Sequence, residues 1–350
     1  MKMMKACVLH GINDLKYQEY PVPELNSGEV LFKVRACGIC GSDIPRIFKT
    51  GTYHFPTIPG HEFSGEVVAV ADKKNNHLIG MRAAVFPLIP CNHCPSCNKG
   101  IYETCQNYNY LGSRCNGGFA QYVSVPVWNL VPIPESLSFE EAAMAEPVSV
   151  ALHAVNKATI TSKDVVVVFG LGPIGILIAQ WAKVYGAKKI LLIGTNSTNY
   201  KIIEDLGFTD YFNISNGDPI EWVLEKTNGN GANIAFEAVG ISSTACNCLE
   251  CVTLGGKIVL VGNPNADFIF PKNTYWKILR KQLTIFGTWN SRYNSTLQND
   301  WTTAINALTS GNIDVKNLIT HRFNLEHMNQ GLQIMKDKKE FYSKIIINCN

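Results

Sequence analysis

VVVVFGLGPIGILIAQWAKVYGA, residues 165–187, runs from five apolar residues into a turn with three glycines and a proline, then into an apolar segment spaced for a helix. A strand covered by helices on both faces reads as an uninterrupted apolar run of this kind. Gly170, Gly172 and Gly175 spell G-x-G-x-x-G, with Pro173 and Ile174 at the inner positions. The motif alone is a weak signal, but a strand before it and a helix after it supply the context of a dinucleotide-binding turn. Glycines there let backbone N–H groups approach a pyrophosphate, which the helix N-terminus favours electrostatically.

Outward from this turn, residues 189–193 supply a second strand, and the apolar segments 232–240, 255–262 and 282–289 alternate with polar, helix-compatible stretches. That alternation predicts an α/β unit, a Rossmann doubly wound parallel sheet over residues 153–289. Residues 1–152 are instead rich in valine, glycine and proline in short alternating runs, which predicts an antiparallel β domain. Where the second Rossmann strand ends, an acidic residue would hold the ribose 2′-hydroxyl of NAD, and this chain has Gly194. Asp205 lies too far along, in the next helical stretch. With no carboxylate to repel it, a 2′-phosphate could sit over Gly194 with Thr195, Asn196 and Ser197 as donors. The reading of the cofactor as NAD(P) therefore leans to NADP, although no arginine stands in the turn.

The chain has 350 residues, enough for two domains, with 46% hydrophobic and 17% charged residues and a formal net charge of +3. No basic field points to nucleic acid. The first residues, MKMMKACVLHGIND, hold no apolar signal-peptide core, and the most apolar window, residues 165–179, falls short of the ~20 residues a membrane span needs. The expected location is the cytoplasm, where the 12 cysteines stay reduced and a tight cluster favours metal over disulfides.

Such a cluster is CNHCPSCNKGIYETC, in which Cys91, Cys94, Cys97 and Cys105 are separated by two, two and seven residues. The short gaps let thiolates converge on one point, as a tetrahedral structural zinc requires. An iron–sulfur cluster competes, but its usual run ends x3-C-P, whereas the last gap here is seven and Gln106 follows. Unmetallated thiols are the remaining reading. Four protein ligands leave no open position, so this lobe is scaffolding. Cys7, Cys115, Cys246, Cys248, Cys251 and Cys349 have no partner at metal spacing and read as small buried hydrophobes.

A second donor set is dispersed: Cys40 in ACGICGSD, His61 and Glu62 in IPGHEFSG, and Glu146 in AEPVSVALHA. One thiolate, one imidazole and one carboxylate leave a fourth position free, the pattern of catalytic zinc.

CGICGSD, GHEFSG, the four-cysteine lobe and the glycine turn, in this order, resemble the zinc-dependent medium-chain dehydrogenases across essentially the whole chain. The resemblance implies a GroES-like catalytic domain over 1–152 and 290–350, and Cys40 and His61 as zinc ligands with Glu62 and Glu146 completing or exchanging in the shell. It also implies Ser42 as the hydroxyl that relays the substrate proton, two zinc ions per chain, and a dimer or tetramer, for which the last Rossmann strands near Phe286 are a plausible edge. Glu146, where alcohol dehydrogenases of the superfamily often have a second cysteine, agrees with the polyol branch. GSDIPRIFKTG, PLIPCNHCPSCNKG and YLGSRCNGGFAQY look most like its sugar-alcohol phosphate members, and Arg46, Lys49 and Arg114 are the cations in those stretches that could meet a phosphate. An unphosphorylated polyol or a pentitol phosphate is the alternative substrate, and a zinc-containing dinucleotide-binding protein without catalysis the alternative of another class.

Overall fold

The computed structural model describes residues 2–195, 200–264, 266–294 and 299–350. The chain forms two compact units, one of residues 1–149, 291–311 and 315–350, the other of residues 150–290 and 312–314.

In the second unit six parallel strands lie in the order Tyr211–Asn213, Lys189–Gly194, Val165–Phe169, Ala232–Glu237, Val252–Leu260, Thr284–Gly287. Numbered along the chain this is 3-2-1-4-5-6, the Rossmann order. Val166, Val167 and Val168 are fully buried, as the unbroken run requires. The three-residue edge strand Tyr211–Asn213 carries no sequence signal of its own, being too short for a period to show. The helix Pro173–Val184 opens directly on the glycine turn with proline in its first turn, where a missing N–H costs nothing. Gly170 adopts φ 108°, which favours glycine. A Cβ on Gly175 would strike the Gly170 carbonyl, so both glycines are needed to seat the helix on the strand.

In the first unit the sheet runs Ile319–Asn324, Lys344–Asn348, Glu29–Ile39, Glu62–Val70, Arg82–Val85, Leu130–Pro132, and Tyr122–Pro126 also pairs with Glu29–Ile39. All pairs are antiparallel except that of Ile319–Asn324 with Lys344–Asn348. That parallel pair departs from the antiparallel expectation because the helix Met328–Asp337 crosses over between the two strands. Phe32 and Phe63, 6.1 Å apart and edge-on, sit in the core with Phe119. The returning segment is fastened by aromatic rings: Tyr293 lies 4.8 Å from Phe86 and 4.9 Å from Trp128, and Trp301 lies 5.5 Å from Phe86. Tyr102, inside the four-cysteine lobe, meets Trp128 at 5.2 Å, so the lobe leans on the same cluster. Among the described residues no helix is long and apolar enough to cross a membrane. Cys7, Cys248, Cys251 and Cys349 are buried as expected; Cys115 and Cys246 are only partly so.

Candidate active site

The strand Glu29–Ile39 delivers Cys40 at its end, where the chain turns into a short helix that begins at Asp43. Asp43, fully buried, organises the turn: Oδ2 accepts the Cys40 N–H at 3.0 Å, Oδ1 accepts Arg46 Nη1 at 2.7 Å, and Oδ1 lies 3.6 Å from His61 Nδ1. Gly60 precedes His61 at φ 96°, packed where a Cβ would strike Cys37 and Phe119, which fixes the entry of His61. Glu62 opens the next strand opposite Gly38, and a Cβ on Gly38 would overlap the Glu62 carboxylate.

The structure brings the donor atoms of Cys40, His61 and Glu62 within 4.8 Å of one another. Glu146 falls outside that set but belongs to the same electrostatic cluster. Burial, and then repulsion from Glu62, pushes its carboxyl up to about 7 against the pull of His61. Burial followed by repulsion from Glu62 pushes the Cys40 thiol up to about 12. Acidic groups this disfavoured, beside a buried His61 Nδ1 that has no hydrogen-bond partner among the described residues, form a donor set that fits a divalent cation. Ser42, half-buried, makes no capping bond with its hydroxyl.

Three residues of the cluster are missed by sequence reasoning. Tyr110 donates its hydroxyl to Glu146 Oε1 at 3.4 Å, and its ring lies 5.8 Å from His61. Asp43 was legible only as part of CGSD. Lys344, 4% exposed, forms an ion pair with Glu62 and donates to the Ile39 carbonyl at 3.1 Å. Its only sequence signal is a lysine at the head of an isoleucine run, Lys344–Ile347.

The three cations considered for a phosphate are placed differently. Arg46 is paired with Asp43 and 19% exposed, while Lys49 is exposed. The Arg114 guanidinium is stacked on Tyr53 and Tyr108, 4.1 and 4.3 Å from their centroids, and donates to the Tyr53 hydroxyl at 3.2 Å.

In the four-cysteine lobe the Sγ atoms of Cys91 and Cys97 are 3.9 Å apart, those of Cys94 and Cys97 3.5 Å, and those of Cys94 and Cys105 3.9 Å. Sulfurs about 2.3 Å from a central zinc define a tetrahedron with edges of about 3.8 Å, so the group fits that ion. Backbone N–H groups of Gln106 and Cys97 pull the Cys94 thiol down to about 6, toward the thiolate a metal needs.

In the other unit, Gly172 caps the helix Pro173–Val184 with no side chain to bond its first-turn N–H groups, and among the described residues beyond its chain neighbours no atom lies within 4 Å of where its Cβ would be. The uncapped N–H groups and the space beside Gly172 fit a pyrophosphate, with Ile174 in the first turn. Gly194 is buried at the end of its strand, and a Cβ there would lie 2.6 Å from Cγ of Leu171. Thr195 is exposed; Asn196 and Ser197 lie outside the described residues.

Residues 26–135 match the alcohol dehydrogenase GroES-like domain and residues 173–310 the zinc-binding dehydrogenase family. Galactitol 1-phosphate 5-dehydrogenase of Escherichia coli K12 is 34% identical, covering 94% of this chain and 96% of that protein. Sorbitol dehydrogenase of Bacillus subtilis is 33% identical, covering 99% of this chain and 98% of that protein. Among solved structures, galactitol-1-phosphate dehydrogenase from Escherichia coli superposes with a TM-score of 0.91 at 33% identity, covering 99% of this chain and 100% of that one. A zinc-binding dehydrogenase from Sinorhizobium meliloti bound to NADP matches at TM-score 0.90 and 26% identity, covering 99% and 100% of the two chains. An alcohol dehydrogenase from Escherichia coli CFT073 complexed with NADH matches at TM-score 0.90 and 28% identity, covering 99% of each. The half-buried thiol and buried imidazole and carboxylates of one unit, the glycine turn of the other and likeness along the whole length agree: the chain is an oxidoreductase that belongs to the zinc-dependent medium-chain polyol dehydrogenases.

Proposed function

We propose that this polyol dehydrogenase oxidises a secondary hydroxyl of a sugar-alcohol phosphate of the galactitol 1-phosphate type, with NADP as the preferred acceptor. The convergence of Cys40, His61 and Glu62, with Glu146 beside them, carries the dehydrogenase chemistry, and 34% identity to galactitol 1-phosphate 5-dehydrogenase supports the phosphorylated substrate. Cys40 and His61 hold a catalytic zinc, Glu62 and Glu146 complete or exchange in its shell, and Cys91, Cys94, Cys97 and Cys105 hold a structural one, two ions per chain. When bound, the catalytic zinc supplies Lewis acidity that lowers a hydroxyl pKa, as it lowers that of water from about 15.7 to about 7, and the nicotinamide supplies the hydride acceptor. Ser42 accepts the proton from the substrate hydroxyl and passes it outward. Asp43 fixes the Cys40 backbone and offsets the Arg46 charge.

The glycine turn, Gly170 to Gly175, binds the pyrophosphate through backbone N–H groups. Gly194 presents no carboxylate to a 2′-phosphate, and Thr195, Asn196 and Ser197 supply donors, which supports NADP. In the domain reading, residues 1–152 and 290–350 form the catalytic domain and 153–289 the cofactor domain. Two copies pair along the outermost strand Thr284–Gly287 in a cytoplasmic oligomer. The open strand edge and the exposed Tyr275, Trp276, Leu279 and Trp289 support that pairing.

Of the candidate phosphate contacts, Arg46 is nearest in sequence to Cys40 and half-buried in the cluster. A second reading, an unphosphorylated polyol, is favoured by the Asp43 carboxylate, which already neutralises Arg46. Turnover of galactitol 1-phosphate, ribitol 5-phosphate and sorbitol with each cofactor tests both. A higher kcat/KM for sorbitol than for either phosphate sinks the phosphate reading, and a preference for NAD sinks the cofactor reading.

A further inference from the structure

Arg46 is neutralised by Asp43 and Lys49 is exposed, whereas among the described residues no carboxylate pairs with Arg114. The Arg114 guanidinium is held by aromatic rings instead, 4.1 Å from the centroid of Tyr53 and 4.3 Å from that of Tyr108. Rings against its face leave its edge for a ligand, and the Nε–Nη2 edge can grip an oxyanion bidentately. On that edge Nε is buried with no hydrogen-bond partner among the described residues, and Nη2 donates to the Tyr53 hydroxyl at 3.2 Å. A Tyr53 oxygen therefore stands where an oxyanion's would. Tyr53 is 69% exposed, so its ring can turn outward with little loss of packing.

The backbone around Arg114 is fastened to the residues just before His61. Gly117 N–H donates to the Ile58 carbonyl at 2.7 Å, Gly118 N–H to the Gly60 carbonyl at 2.8 Å, and Asn116 Oδ1 accepts the Ile58 N–H at 3.0 Å. A Cβ on Gly112 or Gly117 would strike the Gly60 carbonyl oxygen, so the two segments lie backbone against backbone. His54 Nε2 donates to the Arg114 carbonyl at 3.1 Å. From the guanidinium the rings of Tyr108 and Tyr110, 6.2 Å apart, lead to His61, 5.8 Å from Tyr110. Arg114 thus stands at a fixed offset from the Cys40, His61 and Glu62 cluster, two aromatic rings from His61.

We propose that Arg114 is the specificity-determining residue that receives the substrate's phosphate, on its Nε–Nη2 edge and in place of the Tyr53 hydroxyl. The inference rests on the reading of the substrate as a sugar-alcohol phosphate. A phosphate monoester carries a charge of about −1.5 to −2 at pH 7. A guanidinium with no carboxylate beside it meets that charge in full, whereas Arg46 would first have to leave Asp43.

The test uses the full chain loaded with zinc and takes the ratio of kcat/KM for galactitol 1-phosphate to that for galactitol. Arg114→Met should lower this ratio about 30-fold or more, and Arg114→Lys, a cation without the planar fork, about tenfold. Calorimetric titration with galactitol 1-phosphate should show Kd rising in the same order. A ratio unchanged in Arg114→Met, whether both substrates lose equally or neither does, overturns the proposal. Should Arg114→Met fail to fold, Arg114→Lys decides, and an unchanged ratio there overturns it. A wild-type protein with a lower kcat/KM for galactitol 1-phosphate than for galactitol instead overturns the phosphate reading itself.

Discussion

Tyr110 Oη donates to Glu146 Oε1 at 3.4 Å while its ring lies 5.8 Å from that of His61, so one buried carboxyl is held from the strand that leads out of the cysteine lobe. The bond lowers the carboxyl's pKa, yet burial outweighs it and leaves Glu146 near 7.

That balance predicts a pH signature for the protein stripped of its catalytic metal. The folded pKa is raised, so the contribution of Glu146 to stability is fully present below the unfolded value near 4.5 and is lost as pH rises through about 7. The loss attributable to Glu146 is at most about 3 kcal/mol. Denaturant midpoints of this form from pH 4 to 8 should fall relative to Glu146→Gln over that window, and zinc should abolish the difference. Parallel curves for the two proteins would show that Glu146 is not desolvated as the structure has it.

Asp43→Asn should weaken the site without touching a ligand. It removes the charge that faces Arg46 and His61, and the amide keeps one acceptor oxygen for two donors, so its NH2 is left facing either the Cys40 N–H or the Arg46 guanidinium. Metal affinity at the Cys40 site should fall about 10- to 100-fold and kcat/KM with it, while zinc in the cysteine lobe stays, read by chelator competition and elemental analysis.

Cys97→Ser should have the reverse pattern. Zinc content falls by one per chain, and thermal unfolding moves down by an amount equivalent to several kcal/mol, because the lobe 91–105 has little apolar core beyond its cysteines, Tyr102 and Tyr108. Cobalt substituted at the Cys40 site should keep its visible spectrum. Wild-type zinc content in this variant would exclude a four-thiolate site.

Gly194→Ala tests the proposed place of Gly194 beneath the cofactor ribose. Its methyl must displace Leu171, which should cost about 1–3 kcal/mol by denaturant titration. Gly194→Asp should carry the same cost and move the ratio of kcat/KM for NADP over NAD toward NAD by about tenfold or more, the carboxylate repelling the 2′-phosphate. A ratio that does not move leaves residue 194 without a role in cofactor choice.

Sequence by itself determined whatever depends on neighbours along the chain. The glycine turn was legible because strand, turn and helix are contiguous from Val165 to Val184. The cysteine lobe was legible because four thiols within fifteen residues can meet only if the loop folds on itself. Tertiary structure alone decided the rest. The edge strand Tyr211–Asn213 is three residues long and holds by pairing to Lys189–Gly194, not by any pattern of its own. Lys344 reaches Glu62 because the last strand pairs antiparallel with the end of Glu29–Ile39, and Tyr110 reaches Glu146 from the separate short strand Asn109–Tyr110. Local spacing fixes what a few residues can do together. Which charge lies against which, in a core where water cannot screen it, is fixed only when distant strands pair.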